Sequence, residues 1–390
     1  MSTAELLAPL HAEMTTWRQD IHTHPELGFK EDRTAALVAA KLEAFGFDEV
    51  HRGVGRTGVV GVLRAGKSPR AIGLRADMDA LPILEVNRFG HCSVNKGVMH
   101  ACGHDGHTAM LLGAARYLSS TRRFNGVVNF IFQPAEEGLG GAMAMIDDGL
   151  FKRFPCEAVF GMHNWPGLDV GRFSVRAGPM MAGGAFFDIH VTGKGAHGAR
   201  PETGVDAALA AAQIAVTLQS IVSRNVAPVD TAVLSVTRIH AGDAYNVIPK
   251  TAELGGTVRA FSRDVMQLVE KNMRRVAEST AAAFGASATV DFRLLFAPTV
   301  NDAAEAEFAA RICGELVGAD KVERNPPLAM VSEDFSFMLE KVPGCYLNIG
   351  NGVGEGACDI HNPGYDFNDR ALPLGAAFFV RAVETRLAAA

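Results

Sequence analysis

Apolar residues recur along the chain with two different spacings, and the alternation of these spacings predicts an α/β fold. Helical spacing marks residues 6–21 and 34–45, and the second of these stretches ends at Gly46. Apolar, β-branched runs predict strands over residues 58–63, 71–78, 127–133 and 158–163. Because helical stretches separate some of these strands, we predict a mostly parallel central sheet flanked by helices.

Beyond residue 183 the predicted elements follow a different order, which is strand, helix, strand, strand, helix, strand. They cover residues 185–192, 205–224, 231–240, 252–261, 264–284 and 287–296. This βαββαβ order is typical of a ferredoxin-like split unit. Helix and strand patterns then return over residues 303–317, 332–340, 346–350 and 374–387. We therefore predict a discontinuous main domain, residues 1–183 and 297–390, interrupted by an inserted domain over residues 184–296.

Length and charge narrow the class of protein. At 390 residues the chain exceeds what one hydrophobic core usually holds, which agrees with two domains. A net charge of -6 gives no electrostatic reason to expect nucleic acid or an anionic membrane as a partner. Residues 1–14 do not have the pattern of a signal peptide, and the six cysteines lack the spacing of a disulfide framework. We expect a cytoplasmic protein.

Two nucleotide-binding patterns occur, but their contexts do not fit. Residues 61–68 match the P-loop pattern and residues 53–58 match GxGxxG. Both require a helix after the loop, because the helix N-terminus binds the phosphate, whereas strand-like residues follow here. The GxSxG and HExxH signatures of serine hydrolases and zincins do not occur in the sequence. P-loop phosphate binding, dinucleotide binding, serine hydrolase activity and zincin activity are therefore not supported.

Polar side chains follow three of the predicted strands at the points where the strands end. Asp77 and Asp79 end the second strand, Glu136 and Glu137 follow the third, and His163 closes the fourth. In open α/β sheets, ligands bind beyond the carboxyl ends of the strands. We therefore expect these acids and this imidazole to face one crevice.

The stretch MHACGHDGH at residues 99–107 contains the densest set of candidate ligands. It holds a thiol, three imidazoles and a carboxylate within nine residues. Cys102 and His104 alternate, so that on an extended approach both can face the same side, with the small Gly103 between them. These groups are ligands that borderline-soft divalent metals accept. The alternative is a helix N-terminus capped by Asp105, with the other groups incidental.

The adjacent carboxylates Glu136 and Glu137 can take different roles, one binding a metal and the other moving a proton. A divalent metal lowers the pKa of water toward about 7, where a nearby carboxylate can accept the proton and pass it on. The alternative is a solvated acidic turn. With His361, the candidate ligands are Cys102, His104, Glu137, His163 and His361. Five ligands exceed the needs of one tetrahedral ion, which favours two metals that share a bridging ligand.

Seven motifs in this order resemble the M20 metallopeptidase family. They are RADMDALP (75–82), HACGHDGH (100–107), QPAEEG (133–138), GMH (161–163), AHGARP (196–201), NVIP (246–249) and SEDF (332–335). The chain is most similar to the amidohydrolase branch, which contains hippurate hydrolases, N-acyl-amino-acid deacylases and auxin-conjugate hydrolases. The motifs extend over nearly the whole chain.

The resemblance implies a role for each candidate residue. It makes Cys102, His104, Glu137, His163 and His361 the metal ligands. It makes Glu136 the general acid/base, while His197 would reach a neighbouring subunit's active site and polarise the scissile carbonyl. Asn246 and Arg259 would bind the substrate carboxylate, which arginine can hold with two hydrogen bonds. Taken alone, His197 could be a surface loop residue and Arg259 could form a surface ion pair.

One position departs from the pattern of the wider family. The peptidase and aminoacylase branches have a ligand histidine two residues before the aspartate that corresponds to Asp79, and this chain has Asp77 there. An aspartate agrees with the branch that uses a cysteine ligand. Asp105 and His107 are expected to support the ligands rather than to bind metal.

The resemblance implies a metal-dependent enzyme that cleaves the amide bond of N-acyl amino acids. One or two divalent ions per subunit, zinc, manganese, cobalt or nickel, fit the ligands. The inserted domain would serve as a lid and would mediate a homodimer or homotetramer. A dipeptidase or carboxypeptidase with the same metal chemistry, and a binding protein without catalysis, are the alternatives.

Overall fold

The computed structural model describes residues 7–389, which form two compact units. The first unit comprises Met1–Gly178, Val300–Pro327 and Asp334–Ala390, and the second comprises Pro179–Thr299 and Leu328–Glu333. The start of the helix predicted over residues 6–21, part of the segment compared with signal peptides, and the ends of the predicted main domain lie outside the described residues. The division into one domain of residues 1–183 and 297–390 and a second of residues 184–296, each folding on its own, stays a prediction.

An eight-stranded sheet forms the centre of the first unit. Its strands are β1 (Glu49–Val54), β2 (Gly58–Ala65), β3 (Ala71–Asp77), β4 (Gly126–Gln133), β5 (Ala158–Pro166), β6 (Phe173–Val175), β15 (Val322–Arg324) and β16 (Gly344–Gly352), in the order β1-β2-β4-β3-β5-β16-β6-β15. The four central strands β4, β3, β5 and β16 are parallel, whereas β2 and β6 run antiparallel to their central neighbours. Parallel strands in the middle of a sheet are covered on both faces, which explains why β3 and β16 are buried along their whole length.

Helices of the first unit cover this sheet and complete its core. Their bounds are His11–Thr23, Asp32–Ala44, His104–Thr121, Gly141–Asp147, Leu150–Arg153, Ala303–Val317, Ser336–Leu339 and Leu372–Arg386, with 3₁₀ turns at Ala8–Leu10, Ala319–Lys321 and Asp369–Ala371. The helix His104–Thr121 is buried over all of its first twelve residues. A helix that is buried on every side belongs to the interior of its unit, and here it places its first turn at the carboxyl ends of the parallel strands.

The second unit contains a four-stranded antiparallel sheet and two helices. The sheet strands are β8 (Gly183–Thr192), β10 (Ala232–Ala241), β12 (Thr251–Ala260) and β13 (Ser287–Phe296), in the order β10-β12-β8-β13. The helices are Ala207–Arg224 and Arg263–Ala283, with a 3₁₀ turn at Pro201–Thr203. Short strands β9 (Ala196–His197) and β11 (Val247–Ile248) pair with each other. Strands β7 (Gly178–Met181) and β14 (Thr299–Asn301) lie where the chain passes from one unit to the other.

One helix of the second unit, Ala207–Arg224, is long and apolar enough to cross a membrane by length and composition alone. Its buried residues, Ala207, Ala210, Ala211, Ile214, Leu218 and Ile221, are spaced three or four apart wherever they are not adjacent. This spacing places them on one face of the helix, and they belong to the apolar core of the second unit. The helix therefore has the pattern of a helix that covers one side of a sheet.

The predicted fold class is confirmed, although several element boundaries differ. The sheet is parallel at its centre, and the strand, helix, strand, strand, helix, strand order recurs in β8 to β13. The element predicted over residues 332–340 is only the short helix Ser336–Leu339. The strands β1, β6 and β15 were not predicted, because their apolar residues are few and their lengths are three to six residues.

Candidate metal centre

A glycine in a left-handed conformation turns the chain between two of the predicted ligands. Gly103 has φ +92° and precedes the helix that begins at His104. A Cβ atom on Gly103 would lie 2.2 Å from Asn164 Oδ1 and 2.6 Å from Tyr365 Oη. Only glycine fits such a position, both for its φ and for its space. The stretch does form a helix N-terminus, but Asp105 lies in the first turn and does not cap the helix, so the predicted cap is wrong.

Cys102, His104 and His163 come together in the interior of the first unit. All three are buried, and their ligand atoms lie within 4.8 Å of one another. Cys102 Sγ is 3.3 Å from His163 Nε2. His163 Nδ1 lies 2.6 Å from the Asn164 carbonyl oxygen, which can only accept, so this nitrogen carries the proton. The lone pair of His163 therefore resides on Nε2, on the side of the thiol.

Glu137 and His361 join the same group of ligand atoms. Cys102, Glu137 and His361 form a cluster within 4.8 Å, and His361 Nε2 is 3.2 Å from Glu137 Oε1. His104 Nε2 lies 4.0 Å from the same carboxylate oxygen. His361 itself has φ +62°, and its N–H donates to the Ala101 carbonyl at 2.7 Å. The structure thus brings the five predicted ligands together, while their role as ligands stays a prediction.

Two buried atoms at this cluster have no hydrogen-bond partner among the described residues. They are His104 Nε2 and Glu137 Oε1. A buried polar atom without a partner costs about 1–3 kcal/mol. His104 Nδ1 faces Asp79 Oδ1 at 3.2 Å, so Nδ1 donates to this carboxylate and Nε2 faces the cluster. A buried imidazole nitrogen and a buried carboxylate oxygen without partners in the described chain fit the donor set of a divalent cation.

The carboxylates around the cluster shift the pKa values of the thiol and of one imidazole. Burial raises the pKa of the Cys102 thiol well above its usual value, and the Glu137 and Glu136 carboxylates raise it further. Burial alone would lower the pKa of His104, but Asp77 and Asp79 raise it to about 10. Protons thus compensate the carboxylates here. A metal ion would displace these protons, which makes its affinity dependent on pH.

Asp77, Asp79 and His107 support the cluster through hydrogen bonds. Asp79 accepts from His104 Nδ1 and from the Glu137 N–H at 3.0 Å. Asp77 accepts from His107 Nδ1 at 2.6 Å and from Arg75 Nη1 at 2.6 Å. The ligand atoms of Asp77, His104 and His107 also lie within 4.8 Å of one another and could hold an ion. Because Asp77 already accepts from an imidazole and a guanidinium, we assign it a supporting role.

Glu136, the predicted general acid/base, lies beside the cluster and is 6% exposed. Its Oε2 is 4.0 Å from His104 Nε2, and its Oε1 accepts from the Asp334 N–H at 3.4 Å. Asp334 also accepts from Gln133 Nε2 at 2.7 Å and from the Ala142 N–H at 2.9 Å. Asp334 therefore links both sides of the loop that carries Glu136 and Glu137.

Several of these supporting residues were not predicted from the sequence. Asn164 contacts His107 Nε2 with its Oδ1 at 2.7 Å and donates from Nδ2 to Tyr365 Oη at 2.6 Å. Glu31 accepts from the Ala135 N–H at 2.8 Å, next to Glu136. The sequence carries a weak signal for Asn164, which follows a predicted ligand. It carries none for Glu31, whose partner is 104 residues away.

The remaining predicted site residues lie on the second unit. His197 is in β9, where it pairs with Val247, and the Gly198 N–H donates to the Asn246 carbonyl at 2.7 Å. Both His197 and Asn246 are exposed. Arg259 is in β12 and is half-buried, and its Nη1 donates to Thr257 Oγ1 at 2.6 Å. The surface ion pair considered for Arg259 is not observed among the described residues. The catalytic role of His197 and the substrate-binding roles stay predictions.

A buried ionic cluster behind the metal centre contains His22, Arg18 and Asp105. His22 Nδ1 is 2.8 Å from Asp105 Oδ2, and its Nε2 is 3.3 Å from Glu85 Oε1. Arg18 Nη1 lies 3.6 Å from the same Asp105 oxygen. Burial alone would lower the pKa of His22, but Asp105 and Glu85 raise it to about 9. His22 is therefore doubly protonated near neutral pH.

This shift predicts that stability falls as the pH rises through the range in which His22 titrates. The pKa of His22 is raised from 6.5 to about 9, so its stabilisation is complete below pH 6.5 and is lost by about pH 9. At 1.36 kcal/mol per pKa unit this loss is about 3 kcal/mol. We expect urea unfolding to show this fall for the wild type and a smaller one for His22→Gln. Parallel pH dependences of the two proteins would contradict the assignment.

Comparison with known proteins places this geometry in a family. Residues 73–385 match Peptidase family M20/M25/M40. The chain is 44% identical over 372 residues to a hippurate hydrolase of Campylobacter jejuni, covering 95% of this chain and 96% of that protein. It is 39% identical over 374 residues to an N-acetylcysteine deacetylase of Bacillus subtilis, covering 95% of each.

A solved structure of the same family has a similar fold. The YXEP protein of Bacillus subtilis, described as a dinuclear metal binding peptidase from the M20 family, superimposes with a TM-score of 0.85 at 34% identity. The comparison covers 97% of this chain and 98% of that one. The family match extends over most of the chain, and the buried cluster of cysteine, histidine and glutamate side chains lies within the matched residues. The chain belongs to peptidase family M20/M25/M40.

Proposed function

We propose that the protein hydrolyses the amide bond of N-acyl amino acids and releases a carboxylic acid and a free amino acid. The observation that carries this proposal is the pair Glu136 and Glu137. Glu137 has a buried carboxylate oxygen without a hydrogen-bond donor in the described part of the chain, and Glu136 lies beside it at the same cluster of ligand atoms. The hippurate hydrolase and the N-acetylcysteine deacetylase to which the chain is similar support this substrate class.

The proposed ligands are those that the sequence predicted. Cys102, His104, Glu137, His163 and His361 would hold one or two divalent ions, and zinc, manganese, cobalt and nickel all suit imidazole, carboxylate and thiolate donors. When bound, such ions supply Lewis acidity that polarises a carbonyl and makes water more acidic. The dinuclear relative supports two ions per subunit. Asp79 would orient His104, since a carboxylate that accepts from the remote ring nitrogen fixes the tautomer.

Glu136 performs the proton transfers in this proposal. Its carboxylate takes a proton from the attacking water and returns it to the nitrogen of the departing amine. The Asp334 N–H holds one carboxylate oxygen at 3.4 Å, which leaves the other, at 4.0 Å from His104 Nε2, on the side of the cluster. General acid/base catalysis by such a group contributes about 10²–10⁴-fold to the rate.

The second unit would supply the remaining contacts to the substrate. We propose that His197 of a neighbouring subunit stabilises the oxyanion and that Asn246 and Arg259 bind the substrate carboxylate. His197 and Asn246 are exposed in the single chain, which agrees with contact to a neighbouring subunit. A homodimer or homotetramer formed through this lid unit follows from that proposal. Six free cysteines support a reducing, cytoplasmic location. We propose neither nucleic acid nor a membrane as a partner.

Amine release from a small panel of substrates tests the proposal. The panel contains hippurate, N-acetyl amino acids and unblocked dipeptides. We expect release from the N-acylated members and none above background from the dipeptides, because the residues proposed to bind the substrate, His197, Asn246 and Arg259, carry no carboxylate to pair with a free α-ammonium group. Release confined to the dipeptides would contradict the proposal and favour a dipeptidase. No release from any member would favour a binding protein.

A further inference from the structure

The loop that carries Glu136 and Glu137 begins at a residue in an unfavourable conformation. Ala135 has φ +53°, in the left-handed region, although it is not glycine. This conformation costs a residue with a Cβ about 1–2 kcal/mol. It persists only where the surrounding structure imposes it. Because Ala135 directly precedes Glu136, whatever imposes this conformation also directs both carboxylates.

A buried carboxylate from a distant part of the chain holds Ala135. Glu31 is 0% exposed, and its Oε1 accepts from the Ala135 N–H at 2.8 Å. Its other oxygen, Oε2, accepts from Thr57 Oγ1 at 2.6 Å. Each oxygen of Glu31 thus has a different partner, which fixes the rotation of the carboxylate. A hydrogen bond to a charged acceptor is among the stronger ones in proteins.

Further contacts also hold this end of the loop. The Ala135 carbonyl accepts from the Gly141 N–H at 3.0 Å, which closes the loop on itself. A Cβ atom on Gly28 would come within 3.1 Å of Ala135, so the chain beside Glu31 packs directly against it. At the other end Asp334 accepts from the Ala142 N–H. Glu31 and Asp334 therefore hold the two ends of the loop.

We propose that Glu31 is a positioning residue, which holds Ala135 in the left-handed conformation and thereby places Glu136 for proton transfer and Glu137 for metal binding. The kinetic part of this inference rests on the proposed function, whereas the metal-binding part can be measured without substrate. Glu31 itself does not touch the ligand cluster. Its removal would act through the loop and through the loss of its Coulombic repulsion with Asp79.

Three variants and a control test this role. Glu31→Ala removes both hydrogen bonds, while Glu31→Gln keeps an amide oxygen for the Ala135 N–H and an amide group for Thr57. Ala135→Gly makes φ +53° accessible without strain. The control is Glu26→Ala, because Glu26 belongs to the same segment and accepts from the Arg33 and Thr34 N–H groups at 3.0 and 2.9 Å, with no side-chain bond to the loop.

We expect Glu31→Ala to lower kcat at saturating metal by about tenfold or more, which is less than the full contribution of about 10²–10⁴-fold because Glu136 is displaced and not removed. Manganese affinity, measured by titrating the metal-free protein, should fall by about tenfold, as for other supporting partners of ligands. Glu31→Gln should keep both kcat and manganese affinity close to the wild-type values. Adding Ala135→Gly to Glu31→Ala should recover at least about threefold, because the loop no longer needs to be held against strain.

The outcomes separate this inference from the proposed function. If hippurate and N-acetyl amino acids are not substrates but metal affinity falls as described, the positioning role stands without the proposed reaction. If Glu26→Ala lowers metal affinity as much as Glu31→Ala does, Glu31 acts only through general stability and the inference is wrong. The same conclusion follows if Ala135→Gly gives no recovery in the Glu31→Ala background.

Discussion

Replacing Glu136 with glutamine is expected to lower kcat by about 10²–10⁴-fold, because an amide cannot accept the proton of the attacking water. Glutamine has nearly the same size, and its oxygen can still accept from the Asp334 N–H. Metal content should therefore be unchanged, and KM should change little. Stopped assays of amine release with matched metal analysis measure all three quantities.

The control for this substitution is Glu323→Gln, which removes the same charge at an exposed position of β15. It should leave kcat unchanged. If Glu136→Gln retained more than about a tenth of the wild-type kcat with full metal content, Glu136 could not be the general acid/base. Loss of metal together with kcat would instead make Glu136 a ligand.

Replacing His104 with alanine is expected to abolish metal binding at working concentrations. Loss of a supporting partner of a ligand typically costs about 10–100-fold in affinity, so loss of a ligand should exceed about 100-fold. His104 is expected to matter most because its Nε2 is buried without a hydrogen-bond partner among residues 7–389 and lies 4.0 Å from both Glu136 and Glu137. Activity at stoichiometric metal should be lost in parallel.

Thermal unfolding distinguishes this result from simple misfolding. A bound ion stabilises the native state in proportion to the logarithm of its concentration over Kd. Added manganese should therefore raise the Tm of the metal-free wild type and of the exposed control His240→Ala, but not that of His104→Ala. An equal rise in all three proteins would show that the ion binds elsewhere.

The position of the candidate centre could be predicted because it depends on strand ends. In a parallel sheet the carboxyl ends of neighbouring strands lie at the same edge, and β4, β3 and β5 are neighbours in the order found. Asp77 ends β3, and the pair Glu136 and Glu137 follows β4 within a few residues. The proximity of these acids could therefore be predicted from the sequence alone. Comparison with known proteins confirmed the predicted family.

Other parts of the site could not be predicted, because they depend on contacts between distant segments. The start of a helix at His104 could not be predicted, since the histidines of its first turn are buried although their polarity suggests a loop. Glu31 and Asp105 form hydrogen bonds with residues about 80 to 100 positions away. No periodicity records such pairings. Residues His197, Asn246 and Arg259, which only the resemblance singled out, stay predictions.

The polar interior around the centre is costly unless every group is compensated. Arg75 is buried and donates to Gln133 Oε1 at 2.8 Å and to Asp77 at 2.6 Å. It also lies 3.4 Å from Asp334, which accepts from the loop of the two glutamates. One buried cation thus offsets two carboxylates behind the ligands. In front, the Glu136 and Glu137 carboxylates each lie 4.0 Å from His104 Nε2, and a divalent metal would add positive charge there.

Hippurate hydrolysis before and after metal removal tests the central claim most directly. The protein is assayed for glycine release as purified, after dialysis against a chelator, and after manganese or zinc is restored. Our account predicts hydrolysis that the chelator abolishes and the restored ion recovers, with no recovery in His104→Ala. Hydrolysis that continues in metal-free protein, confirmed as metal-free by elemental analysis, would contradict the metal-dependent mechanism.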